Sequence, residues 1–272
     1  MTATTVPTDI TTRANDADIG LRPRRILAAE WLKVVSLRST WWFVATIVLG
    51  TVGVGSFMAI GVVLDKVDGA EAGRLGGALT GIGFAELIVA ALAALTVTGE
   101  YASGSIRTTL TAVPRRVTVV AAKTAAVSGA VLVLSLLLTF GTFTLVSTLM
   151  ATADVDLRLS APGVLRALAG GAVHLALMAA LGAGLGWILR STAGAISTVV
   201  GIVYVLPLIG LVLPAAVAAD ITKYLPSNAA AVVMQPETVP GQLPPWAGLA
   251  VMAAWAAVAL IGAAIVVRRR DG

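Results

Sequence analysis

Residues 41–64 read WWFVATIVLGTVGVGSFMAIGVVL, 24 positions without one charged side chain. A hydrocarbon core about 30 Å thick takes roughly 20 apolar residues in a helical crossing. This run is therefore long enough to span it. Five further apolar runs follow at 77–98, 124–151, 163–189, 194–218 and 246–267, the last stopping at Arg268, Arg269 and Arg270. The expected fold is an all-α membrane protein of six transmembrane helices. The helices form one transmembrane domain over 23–272, behind a disordered tail at 1–22 that lacks the basic start and apolar core of a signal peptide.

Composition agrees with the runs. The 272 residues are 58% hydrophobic and 12% charged, with a mean hydropathy of +0.94, whereas a soluble domain carries about 25% charged residues. Cysteine is absent and histidine occurs once, at position 174. Thiolate metal sites, disulfides and thiol nucleophiles are excluded, and no metal or catalytic cluster is expected. The net charge of +5 sits in short segments flanking apolar runs. It reports orientation in a membrane rather than a nucleic-acid partner.

With an even number of crossings both ends share a side. Fourteen of the nineteen Lys and Arg residues fall on the side of the two ends, which predicts both termini in the cytoplasm of a plasma-membrane protein. Trp41, Trp42, Trp187 and Trp246 fall near the run ends, as expected of an interfacial aromatic belt. Gly77 with Gly81, and Gly182 with Gly186, have the spacing that permits close helix approach. Pro207 and Pro214 are expected to bend or unwind the fifth helix, and the Pro-rich segment at 220–245 is expected to hold short helical or re-entrant pieces.

Two segments outside the spans carry more information. Before the first span, Leu27, Trp31, Val34 and Val35 share a helical face, with Arg25, Lys33 and Ser36 opposite. Such a helix lies along the membrane surface, its cations toward headgroups or a partner; a plain basic flank that sets topology is the other reading. Between the second and third runs, Ser103 is placed to cap a helix on which Ile106, Leu110 and Val113 share a face, ended by Pro114. That ridge either enters a groove on a partner protein or packs beneath the bundle. Within the spans, Glu86 and His174 lie at similar depth, which permits a contact between them or a polar lining for a substrate path.

The run Glu100-Tyr101, then Gly104 through Leu110, Pro114-Arg115-Arg116 and Ala122-Lys123 resembles the first cytoplasmic loop of ABC-2 type permeases, the membrane subunits of one class of ATP-binding-cassette exporter. Glu30-Trp31-Leu32-Lys33 with Ser39-Thr40-Trp41-Trp42 resembles the amino-terminal approach of that family, especially its actinobacterial members. Tyr224-Leu225-Pro226-Ser227-Asn228-Ala229 is similar to its outer segment before the last helix. The resemblance implies an interfacial amino-terminal helix and a cytoplasmic coupling helix around Glu100, Ser103, Gly104, Ile106, Arg107, Leu110, Val113, Pro114 and Arg115. It also implies small extracellular re-entrant helices before the sixth span, a second permease making a homo- or heterodimer, and a separate ATPase subunit that binds ATP and magnesium.

The chain offers no nucleotide site of its own. A phosphate-binding loop needs Gly-x-x-x-x-Gly-Lys-Ser/Thr, and Gly99 to Gly104 is followed by Ser105 and Ile106. No cofactor and no enzymatic activity are expected in this chain. An ATP-independent secondary transporter or channel, favoured by inverted repeats, and a membrane-embedded immunity or assembly factor are the alternatives. An ATPase encoded beside the chain discriminates among them.

Overall fold

The computed structural model describes residues 23–36, 38–65, 71–112, 116–152 and 157–270. The expected tail at 1–22, and Val113, Pro114 and Arg115, lie outside the described residues. Among those residues the regular elements are all helices, with no strand: α1 (Pro23–Ser36), α2 (Arg38–Asp65), α3 (Glu71–Ser103), α4 (Ser105–Ala112), α5 (Arg116–Ala151), α6 (Val164–Leu189), α7 (Thr192–Val200), α8 (Ala215–Thr222), α9 (Pro226–Met234) and α10 (Pro245–Arg270). Six stretches are long and apolar enough to cross a membrane: Arg38–Gly61, Leu79–Ser103, Arg116–Ala151, Val164–Leu189, Thr192–Leu211 and Pro245–Arg269. This is the architecture of a multi-pass membrane protein.

Helix α6 is the centre of the bundle. In its apolar stretch 72% of residues are buried, against 17% in the fifth span, and it packs on α3, α5, α9 and α10. Small residues permit that position. A Cβ on Gly182 would overlap the Ala90 carbonyl of α3, and one on Gly186 would come within 3.0 Å of the Ala94 carbonyl oxygen. The four-residue spacing thus lets two backbones touch, as small residues do in membrane interiors. Polar groups add cross-links: the Ser135 hydroxyl donates to the Ala172 carbonyl at 3.2 Å, and the Thr98 and Thr192 hydroxyls meet at 2.7 Å.

Several expected boundaries move. Helix α3 begins at Glu71 and runs through to Ser103, and α5 starts at Arg116, so both extend past their apolar runs by one or two turns. Charged residues end an apolar run without ending a helix. The fifth run, expected to reach 218, leaves α-helical form at Gly201, passes through a π turn at Gly201–Val205 and a 3-10 turn at Leu206–Leu211, and stops before Pro214. Pro207 has no N–H for the carbonyl one turn back, and the ladder changes pitch around it.

Helices α8 and α9 then fill the segment before α10. Arg166 donates to the carbonyls of Gln235 and Pro236 at 2.8 and 2.9 Å, tying the end of α9 to the start of α6. The Trp255 indole donates to the Tyr224 carbonyl at 2.9 Å, fixing α10 to the same region. Trp41, Trp42 and Trp246 are exposed, as a lipid-facing belt requires, but Trp187 is fully buried. Its ring packs edge-on against Tyr101 with centroids 5.9 Å apart, so it is a core residue and not an interfacial anchor.

Candidate functional site

The end of the bundle that carries α1 gathers four charges from three helices. Glu30 and Lys33 come from α1, Glu100 from the last turn of α3, and Lys123 from the second turn of α5. Glu30 gives one carboxylate oxygen to Lys33 at 2.9 Å and the other to Lys123. The Oε1 of Glu100 accepts from both Lys33 and Lys123, each at 2.9 Å. Charges alternate in sign around the cluster. Glu30 and Lys123 are each 3% exposed, whereas the Lys33 side chain keeps 43% of its surface.

The local sequence explains how the cluster forms. Ile26, Glu30 and Val34 recur every four residues and make the buried face of α1, which packs on α5 and α2. A carboxylate on that face must meet a cation, because an isolated buried charge is too costly to hold. Burial alone would push the Glu30 carboxyl up, but hydrogen bonds and charge from Lys123 and Lys33 outweigh it and hold the group below the usual carboxylate range. For Lys33, burial pulls down and hydrogen bonds to Glu30 and Glu100 outweigh it, raising the ammonium above its usual value.

The outer face of α1 also differs from expectation. Leu27, Trp31, Leu32 and Val35 are exposed, while Val34 is buried. The exposed four form an apolar stripe suited to lipid. Lys33, expected to point toward headgroups or a partner, turns into the charge cluster, because two carboxylates lie within its reach.

Helix α4 is held between α3 and α5. Ser103 does not cap it: the residue ends α3, its hydroxyl directed to the Glu100 carbonyl at 3.4 Å. The break falls at Gly104, whose φ of 75° is open to glycine and costly for other residues. The apolar ridge then faces the bundle. Ile106 is 5% exposed within the main hydrophobic core and Leu110 packs partly buried against it. Both are therefore anchors for α4, and Arg107, Thr108 and Thr111 form its exposed side.

Beside that side lies a cleft of about 830 Å³ lined by Arg107 of α4, Arg116 at the start of α5 and Arg190 at the end of α6, with Ser103 and Thr111. Arg190 closes α6 with φ 55°, its N–H donating to the Gly186 carbonyl at 2.9 Å, and its guanidinium stacks 5.0 Å from the Tyr101 ring centroid. The last turn of α3 is thus clamped twice, through Glu100 to α1 and α5 and through Tyr101 to α6. Glu30, Lys123, Tyr101, Trp187 and Arg190 were not marked as site residues by sequence. The available signals were Glu30 on the Ile26 to Val34 face, and Lys123 four residues before Val127 on the buried side of α5.

Glu86 and His174 do meet. His174 Nε2 lies 2.8 Å from Glu86 Oε1, linking α3 to α6, and the two residues are 5% and 2% exposed. The pair sits between packed helices, so neither side chain faces an open conduit within this single chain. Among the described residues no group of three or more His, Asp or Glu is placed to hold a metal ion. No family model matches the chain, and no curated protein matches it.

Proposed function

We propose that this protein is the membrane-spanning subunit of an ATP-driven exporter of the ABC-2 type, with both termini in the cytoplasm of the plasma membrane. It pairs with a second permease and takes its energy from a separate ATPase subunit that docks on the cytoplasmic side. The observation that carries this reading is the mounting of α4: a short helix outside the spans, anchored by Ile106, with Arg107, Thr108 and Thr111 outward beside a cleft of three arginines. Such a surface suits a partner with carboxylates at its contact face. The clamps at Glu100 and Tyr101 supply a rigid connection from α4 to α1, α5 and α6, so that a push on α4 moves several helices together. The fourteen Lys and Arg residues counted on the side of the termini support the orientation.

Substrate passage would require the helices around Glu86 and His174 to part, or a neighbouring subunit to complete the path. The Ala, Leu, Val and Gly of the spans suit a hydrophobic or amphipathic cargo.

The reading is tested by co-expressing the chain with an ATPase encoded beside it, purifying the complex from membranes and measuring ATP hydrolysis. Stable co-purification with hydrolysis above that of the ATPase alone is expected. An ion-gradient-driven flux in vesicles that hold this chain alone would overturn it in favour of a secondary transporter.

A further inference from the structure

The charge cluster opens onto a cavity of about 580 Å³, lined on its polar side by Glu30, Lys33, Glu100 and Lys123. An apolar groove continues from it between α1, α2 and α5, floored by Ala130, Val131 and Leu134 and flanked by Trp31 and Trp41. The two share Val34, Thr40, Leu92 and Val127, so they form one continuous surface with a charged end and an apolar end. From Val127 to Leu137 the groove follows eleven residues of α5, about 15 Å from first to last at the helical rise per residue. That is half of a hydrocarbon core about 30 Å thick, the depth of one leaflet.

The polar end has unused bonding capacity of both signs. Both oxygens of Glu30 are occupied by lysines, but Glu100 spends only Oε1, and its buried Oε2 has no hydrogen-bond partner among the described residues. A carboxylate oxygen removed from water calls for a donor. Lys33 uses two of its three ammonium donors on Glu30 and Glu100 and keeps an exposed side. At the junction of cavity and groove, the buried Thr40 hydroxyl is likewise without a partner. An ammonium for Glu100, a phosphate for Lys33, an acceptor for Thr40 and a chain of leaflet depth for the groove belong to one molecule.

We propose that this surface is a binding site for a membrane phospholipid with a primary ammonium headgroup, a phosphatidylethanolamine. Its ammonium donates to Glu100 Oε2, its phosphate accepts from Lys33, a glycerol ester carbonyl accepts from Thr40, and one acyl chain lies along α5. The bound lipid seals the gap between α1 and the first span and completes the hydrogen bonding of the cluster. Phosphatidylcholine has the same phosphate and chains but no N–H to offer Glu100. A phosphatidylglycerol brings net negative charge to Glu100 and no compensating cation.

The full-length protein, purified in detergent and stripped of lipid, is titrated with each of these three lipids at matched chain length, following thermal midpoint and bound lipid by native mass spectrometry. Phosphatidylethanolamine should bind about tenfold tighter than phosphatidylcholine, as expected for one charge-assisted hydrogen bond, and should raise the midpoint most. Glycerophosphoethanolamine, which has the headgroup and no chains, should not bind at millimolar concentration. Glu100→Gln should abolish the preference for the ethanolamine lipid. Ala130→Phe, which fills the groove without touching the charges, should abolish it too and serves where Glu100→Gln does not fold. Equal affinity for the ethanolamine and choline lipids, or a preference that survives either folded variant, overturns the proposal. So does tight binding of the chainless headgroup.

Discussion

Glu30 of α1 and Lys123 of α5, 93 positions apart in the sequence, form an ion pair with both side chains at 4% exposure. Removing one member leaves the other with a single remaining counterion, Lys33 for Glu30 or Glu100 for Lys123, and one buried bonding position unfilled, at a cost of about 1–3 kcal/mol, whereas replacing both with apolar or neutral groups is milder. Lys123→Met and Glu30→Gln should each lower unfolding stability in detergent by that order. The double substitution should recover a large part of the loss, a coupling read by a double-mutant cycle. Additive losses would mean that the pair does not hold α1 to the bundle.

The attachment of α1 should depend on pH at both extremes. Glu30 has a depressed value in the folded chain, so its contribution is full above the unfolded carboxyl value of about 4.3 and is lost as pH falls through the lower folded value. Lys33 has a raised value, so its contribution is full below the unfolded value of about 10.4 and is lost as pH climbs through the higher folded value. Between these limits the helix stays docked. Limited proteolysis near Arg24 and Arg25, both exposed at the start of α1, should be slow from pH 5 to 10 and accelerate in acid below about pH 4. A maximum of protection confined to neutral pH would count against Glu30 and Lys33 as the anchors of α1.

The spans were legible because length and hydrophobicity in a membrane leave the backbone one solution, a helix. The directions of side chains outside the spans were less so. Periodicity grouped Ile106 with Leu110 but could not say whether that face meets the bundle or a partner; only the close packing of α4 between α3 and α5 decides it. Lys33 read as a surface cation because its acceptors lie on another helix: Glu100 is 67 residues away. Trp187 read as an interfacial anchor from its place near the end of a run, and its burial, with Tyr101 edge-on to its ring, reversed that. Pro207, by contrast, acts through local covalent geometry, and its effect on the fifth span was visible in sequence.

The Glu86 and His174 contact separates packing from passage. Glu86→Gln keeps an oxygen acceptor in the same shape and should cost at most about 1–2 kcal/mol in thermal unfolding. His174→Ala removes the partner, leaves the Glu86 carboxyl buried without it and opens a cavity, and should cost more, about 2–4 kcal/mol. If the pair only packs, export by the assembled complex should track the amount of folded protein for both variants. Loss of export in Glu86→Gln with stability retained would assign the carboxylate to the path.

The inward turn of Ile106 divides the substitutions on α4 into two kinds. Ile106→Asp puts a carboxylate into the main hydrophobic core and should destabilise the chain by several kcal/mol, about 3 or more, with or without a partner present. Arg107→Glu changes an exposed side chain at the rim of the arginine-lined cleft and should leave the unfolding midpoint within about 0.5 kcal/mol of the parent. If an ATPase with acidic contacts docks there, the same change should weaken co-purification by about tenfold or more, since reversing one charge turns an attraction into a repulsion. A compensating Asp or Glu to Arg change on the ATPase should restore it. Retention of a fully stimulated complex by Arg107→Glu together with Arg116→Glu would move the docking surface away from α4 and leave the helix as a structural strut between α3 and α5.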